Sequence, residues 1–396
     1  MKTINKYLIL IIASLFIVPL SAAIPMPGAD VWYPQCIALI ALFMVGVSIF
    51  LWKFDKAISL FSIMCLLSAI FVTKLNMKAM FITGEVYLAG LAMYGISNLT
   101  VKKRKIVCWA IIGLILLQGA WVILQANGID PLFTKVVHGK VDYSSDDTVG
   151  FSGSHNQLGV FFATTAPIAV GVCPVLLPLV LFGLFCSTTS FAFVGFTVAS
   201  IVYLFLTKHK LRYFTLVILL CGAAVFFTKY DKNVLGHLHG RIAPAKVGFE
   251  AMLTGHIPLE VKHHEKILGA NTWTGYGLGS TSKVLPLYKE NRYFNRRLEK
   301  YTHFHNDYIE LIFEFGRLGL AILVFFLVSF FREFKRYRNK ELCLYFCCLL
   351  AYMLCSMGVF ANHVAMSGMF FVLFYGLFKG VVHEQKRAVK RASVLV

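Results

Sequence analysis

Three features of the 396-residue sequence predict an all-helical, polytopic membrane protein. Its residues are 58% hydrophobic and only 14% charged, too little polar material to cover a soluble chain of this size. The apolar residues gather into runs of about 16 to 24 residues, the length at which a helix crosses a bilayer. The basic residues behind the formal charge of +19 come in short clusters between those runs. That pattern fits a lipid bilayer rather than a nucleic-acid partner.

The elements follow in order. Lys2 and Lys6 precede an apolar run from Leu8 to Ala23 that reads as a retained first helix. A cleavable signal peptide there would leave the later topology unchanged, with Pro27 to Asp30 outside. Further spans are expected near 33–52, 57–73, 79–98, 106–125, 157–172, 174–187, 190–206, 211–228, 308–331, 341–359 and 365–382, about twelve in all. Pro174 and Pro178 stand where they would break the short pair of runs around them.

Lys53/Lys56, Lys102 to Lys105, Lys208/Lys210/Arg212, Arg332 to Lys340 and Lys386 to Arg391 all fall on one side of this arrangement. The positive-inside rule makes that side the cytoplasm. The stretch 128–155 and the long loop 229–304 then face outward. The second is basic in spite of that, which is consistent because long loops translocate largely regardless of charge. Its basic residues suit either a solvated surface beside anionic lipid or an anionic ligand brought to the outer face.

Chemistry-bearing side chains concentrate where that loop ends. His303-Phe304-His305-Asn306-Asp307-Tyr308 stands at the entrance to an apolar run, and ionisable groups at a membrane boundary ask for a functional reason. Earlier in the loop, Leu238, Ile242, Ala245, Phe249, Met252 and Leu253 recur with helical spacing, as in an amphipathic helix lying on the membrane surface. Gly275-Tyr276-Gly277-Leu278-Gly279 lacks both the spacing and the preceding strand of a dinucleotide loop and reads as a flexible turn.

His305-Asn306, nine residues, Gly316, two residues, Gly319 resembles the signature of the bacterial O-antigen ligase and polymerase superfamily. The resemblance covers roughly residues 150 to 325. Gly153 to Gly159, the segment His237 to Met252 headed by Arg241, Gly275 to Gly279 and His303 to Gly319 follow in the family's order.

The resemblance implies a GT-C-like membrane glycosyltransferase of the bacterial inner membrane, with its site on the periplasmic face. It would take a glycan from undecaprenyl diphosphate and pass it to a hydroxyl acceptor, with no metal and no cofactor. Arg241 would hold the diphosphate, because guanidinium bonds phosphate oxygens bidentately. His305 would serve as base or position the acceptor, Asn306 would orient His305 or the glycan, and His303 would assist.

One departure concerns a second arginine that many family members carry in a Ser-Arg-Gly turn; here the place reads Ser187-Thr188-Thr189-Ser190. Hydroxyls with a helix N-terminus, or Arg296, Arg297 or Lys229, would have to replace it. The acceptor is read as the lipid A core of a ligase, with a carrier-linked repeat (polymerase) or a protein serine or threonine (oligosaccharyltransferase) as alternatives. A lipid-linked oligosaccharide flippase is the rival of another class; it would be expected to show inverted repeats and charges near the midplane.

Other polar residues have plainer readings. Glu85 falls inside a span, where protonation or a partner in the bundle would relieve it. Glu310, Glu314 and Arg317 lie one helical turn apart and read as an intrahelical pairing, or as Arg317 reaching a neighbouring helix. His237/His239 and His263/His264 have no accompanying cysteine and are not taken as metal ligands. The cysteines, Cys343, Cys347 and Cys348 among them, read as packing residues. The tail from His383 to Arg391 reads as a solvated basic end beside anionic lipid.

Overall fold

In a computed structural model of the chain, the described residues are 47–73, 77–127, 129, 136–137, 140–141, 150–152, 154–207, 273–281, 306–358 and 365–394. They are helical throughout, apart from turns and a two-residue antiparallel ladder of β1 (Val136–Val137) with β2 (Lys140–Val141). A helical stretch at 47–54 leads to Asp55, which caps α1 (Lys56–Leu67) by accepting from the N–H of Ile58 at 3.0 Å. α1 ends in a π-helical turn at Ser68–Val72. Then come α2 (Met77–Ser97), α3 (Val101–Ala126), α4 (His155–Val172), α5 (Leu177–Ser187), α6 (Ser190–Thr207), α7 (Asp307–Arg336), α8 (Lys340–Cys355) and α9 (Ala365–Val394).

These helices coincide with the expected spans to within a few residues, except that several run on into polar sequence. α3 begins before its basic cluster, and α9 continues through His383 and Arg391, so the basic tail is helical, with His383 half-buried and Lys386 to Arg391 exposed. Pro174 opens a 3-10 turn, and Pro178 sits in the first turn of α5, where its missing N–H has no helical partner to lose. The spans expected at 8–23 and 211–228, and most of 33–52, lie outside the described residues. Four of the described helices are long and apolar enough to cross a membrane: Lys78–Ser97, Val101–Ala126, Ser190–Thr207 and Asp307–Arg336.

α4 is the hub of the bundle. Every residue from Gln157 to Val170 is buried, and α3, α5, α6, α8 and α9 all pack on it. Its glycines, alanines and threonines let neighbours approach from every side, and Thr164 and Thr165 return their hydroxyls to Val160 O and Phe161 O. A helix buried all round needs no polar stripe. The described cysteines are free thiols, and Cys343, Cys347 and Cys348 are packed inside α8.

One end of the bundle is held by charge. Lys379 on α9 bonds both Asp55 and Glu333 at 2.8 Å, Lys386 adds a second bond to Glu333 at 2.9 Å, and Tyr375 donates to Asp55 at 2.7 Å. Arg104, buried at the start of α3, binds Glu341 on α8 and Glu384 on α9 at 2.7 Å each. Buried guanidinium is tolerated when each charge finds a partner, and here the pairs tie five helices together. The opposite end includes the α5–α6 turn, the turn Ser356–Gly358 and the start of α7, and it carries the residues of interest.

Candidate active site at the polar end

α7 begins at the candidate signature. Asn306 is its N-cap: the side-chain oxygen accepts from the N–H groups of Tyr308 (3.1 Å) and Ile309 (3.2 Å), satisfying donors that a helix start leaves open. Its amide Nδ2 donates to Met357 O at 2.8 Å, Asp307 N to Ser356 O at 3.0 Å, and the Tyr308 hydroxyl to Met353 O at 2.8 Å. The backbone immediately after His305 is therefore fixed to the end of α8.

The chain of contacts continues. Gly358 packs so closely on the Phe191 ring that no side chain would fit there, and Cys355 Sγ lies 3.9 Å from Phe191 O. Phe191 opens α6 just after the Ser187–Ser190 turn, in which Thr188 takes a left-handed conformation (φ 51°). Buried Thr189 lies within donating distance of Ser187 O (3.0 Å), Asn156 Oδ1 (3.2 Å) and His155 O (3.4 Å). Beside it, Ser367 at the start of α9 donates to Gln157 Oε1. The start of α4, the α5–α6 turn, the end of α8 and the start of α7 thus meet at one place.

The signature glycines have structural work. α7 is broken at Gly316, whose φ of 60° and ψ of −145° belong to a region open essentially only to glycine. The break leaves Phe313 O and Glu314 O without their helical donors, and the glycine loop supplies replacements: Tyr276 N donates to Phe313 O at 3.1 Å and Gly277 N to Glu314 O at 2.9 Å. Leu318 N donates back to Trp273 O at 3.2 Å. The Tyr276 ring stacks on Phe313 with centroids 4.4 Å apart. Gly319 passes within contact of Leu311 O, leaving no room for a Cβ.

The expectation of a flexible turn at Gly275 to Gly279 is corrected accordingly. It is a turn, but a buried one: Gly275, Gly277 and Gly279 all have positive φ, and the loop is clamped between α7 and the π-helical turn of α1, where Leu278 N donates to Ser68 Oγ at 3.0 Å. Thr281 closes the clamp, its N–H and hydroxyl both donating to Glu314 Oε1, at 3.3 and 3.0 Å. Glu314 is thus engaged by the loop, and the Arg317 guanidinium lies 5.4 Å from the Trp273 ring centre. The break at Gly316 separates these two residues and alters the continuous helical spacing on which an intrahelical pairing was read.

Of the sequence-derived site residues, Asn306 is described. His303, His305, Arg241, Arg296 and Arg297 lie outside the described residues, as do Lys229 and the histidine pairs at 237/239 and 263/264. Sequence reasoning named Asp307, Glu310 and Gln157 within its motifs but gave them no role at the site, and it passed over the turn Ser356–Gly358. Asp307 and Glu310 are buried acids in the first turn of α7; an acid pair directly after an Asn cap was the available signal. Nothing local in the sequence marks Met357 as the partner of Asn306. Glu85 sits on the exposed face of α2. No group of three or more His, Cys, Asp or Glu suited to a metal occurs among the described residues.

Residues 175–324 match the family model described as O-antigen ligase. This stretch is similar to the O-antigen ligase family. It occupies less than half of the chain. No curated protein and no solved structure gives a significant match. The matched range contains α5, α6, the glycine loop and the broken start of α7, while α4 and α8, against which α5 and α6 pack, and α1, against which the glycine loop lies, fall outside it. Domains of this kind belong to membrane glycosyltransferases of the ligase and polymerase type.

Proposed function

We propose that this protein moves a glycan from undecaprenyl diphosphate to a hydroxyl acceptor, as an O-antigen ligase acting on the lipid A core. The site faces the periplasm, and the chain crosses the bacterial inner membrane about twelve times in a GT-C-like arrangement. The observation that carries this reading is the match to the O-antigen ligase family over a stretch whose α7 is capped at Asn306, next to His305, and is clamped by the glycine loop at Phe313, Glu314 and Leu318.

In this reading the acceptor oxygen attacks the anomeric carbon, the bond from that carbon to the phosphate oxygen breaks, and undecaprenyl diphosphate leaves with the electron pair. His305 takes the acceptor proton, His303 assists, and Asn306 holds the backbone that carries them. Arg241, supported by Arg296 and Arg297, neutralises the charge that grows on the diphosphate. Neither metal nor cofactor is required. Near the Ser187–Ser190 turn, Thr189 is occupied with Asn156 and backbone carbonyls, which favours one of those arginines over the turn hydroxyls as the second phosphate ligand.

The test uses the purified protein with a carrier-linked glycan and three acceptors: lipid A core, a second carrier-linked repeat, and a serine-rich peptide. Release of undecaprenyl diphosphate with consumption of the core supports the ligase; consumption of the second repeat would instead make it a polymerase, and of the peptide an oligosaccharyltransferase. No release with any acceptor, together with movement of the intact donor across a vesicle membrane, would make it a flippase. His305→Ala should abolish release at unchanged abundance. Arg241→Lys should reduce it substantially, because the bidentate fork is lost.

A further inference from the structure

At the charged end, far along the helices from the candidate active site, the turn between α2 and α3 and the last third of α9 enclose a cavity of about 490 Å3. Lys102, Arg104, Arg387 and Arg391 line it, together with His383 and a single acid, Glu384. Glu384 is already taken, since it accepts from Arg104 Nη2 at 2.7 Å. Arg104 is likewise committed: Nε donates to Glu341 at 2.7 Å and Nη1 to Leu99 O at 2.8 Å. It is buried at the floor of the cavity, where it pairs with Glu384, a half-exposed acid.

Lys102, Arg387 and Arg391 are exposed and have no partner among the described residues. Arg387 and Arg391 stand four residues apart on α9, an arrangement in which like charges repel. α3, 26 residues long, starts at the same cavity, and its N-cap Thr100 makes no side-chain capping bond. Its first-turn N–H groups and the positive end of its dipole therefore add to the same field. Three side-chain cations and a helix start converge where the cavity's one acid is already paired with Arg104, so a bound anion would relieve their mutual repulsion.

We infer that this cavity binds a phosphate-bearing anion, held by the Arg387 and Arg391 guanidiniums, the Lys102 ammonium and the backbone N–H groups that open α3. Guanidinium and helix N-termini both match phosphate oxygens. The sources are a phospholipid headgroup, since basic pockets between helices on the cytoplasmic side suit one, or a soluble phosphate compound. The inference concerns the face opposite the proposed glycan-transfer site and does not depend on that reading.

The experiment uses the full chain in nanodiscs of phosphatidylcholine, alone, with added phosphatidylglycerol, or with soluble glycerol phosphate, read by thermal midpoint and by native mass spectrometry. A variant with Lys102→Ala, Arg387→Ala and Arg391→Ala is compared with a charge-matched control, Lys105→Ala, Arg332→Ala and Lys335→Ala, at exposed positions outside the cavity. Phosphatidylglycerol should raise the midpoint and stay bound. The cavity variant should bind it roughly a hundredfold more weakly, from about fivefold per basic residue, while the control keeps most of the affinity. The same pattern with glycerol phosphate in pure phosphatidylcholine would support the site and assign it a soluble ligand. Binding of neither probe, or equal loss in both variants, overturns the inference. Should the triple variant not fold, Arg391→Ala alone, near the exposed end of α9, should still lose about fivefold.

Discussion

The side-chain amide of Asn306 donates to the carbonyl of Met357 at 2.8 Å, while its oxygen caps α7 through Tyr308 and Ile309. One side chain therefore both starts the helix that follows His305 and attaches it to the end of α8.

Asn306→Ala should remove both functions and lower stability by about 1–2 kcal/mol, with glycan transfer falling further because the backbone after His305 is released. Asn306→Ser retains a capping oxygen and loses only the tie to Met357, so it should be intermediate in both. Thermal unfolding in detergent and transfer rate, measured on the same preparations, check the order. Equal behaviour of the two variants would remove capping from the account.

Gly316→Ala forces a Cβ into a backbone conformation that costs about 1–3 kcal/mol. A shift to helical angles would relieve that strain, but it would also return Phe313 O and Glu314 O to helical donors and release the glycine loop. The expected result is increased proteolysis within 273–281 together with loss of transfer. Full activity with an intact loop would show that the break is dispensable.

Glu314 accepts from both donors of Thr281. Glu314→Gln keeps an accepting oxygen and should hold transfer within a few fold of the parent, whereas Glu314→Ala leaves two buried donors without a partner, at about 1–3 kcal/mol each. A Gln variant as inactive as the Ala variant would mean that the charge itself is needed.

His383 lies one residue beyond the span expected at 365–382. Burial, and then Lys379 and Lys386, lower its imidazole to about 4 from an ordinary 6.5. The folded-state value is depressed, so its contribution to stability is complete above about pH 6.5. It is lost as pH falls toward 4, where the unfolded chain takes up a proton that the folded chain refuses. His383→Gln should flatten that part of the profile of melting temperature against pH. An unchanged slope would assign the acid sensitivity to other groups.

Hydropathy made the helices legible, because a bilayer demands length and apolarity from each span: 106–125 was expected and α3 runs Val101–Ala126; 190–206 was expected and α6 runs Ser190–Thr207. What hydropathy cannot register is a change in backbone direction inside an apolar run. The expected span 308–331 reads continuously across Gly316, although the helix breaks there. Partners distant in sequence were equally hidden. Nothing near Arg104 announces Glu341, 237 residues away, and the register that places Met357 beneath Asn306 exists only once α7 and α8 are packed. The order of motifs from Gly153 to Gly319 was readable because their spacing survives without a fold, and the same spacing could not reveal that Gly316 and Gly319 shape the chain.

The full enclosure of α4 has a consequence for how the molecule is made. A segment that opens His155-Asn156-Gln157 and carries Thr164, Thr165 and Pro167 is a weak candidate to leave the translocon for lipid by itself. Its partition becomes favourable once α5 and α6 emerge to wrap it. Biogenesis should therefore proceed with this trio handed over as a unit, and nascent chains cut before Leu177 should leave α4 accessible to water-soluble thiol reagents at an engineered cysteine, in contrast to chains that extend past Thr207.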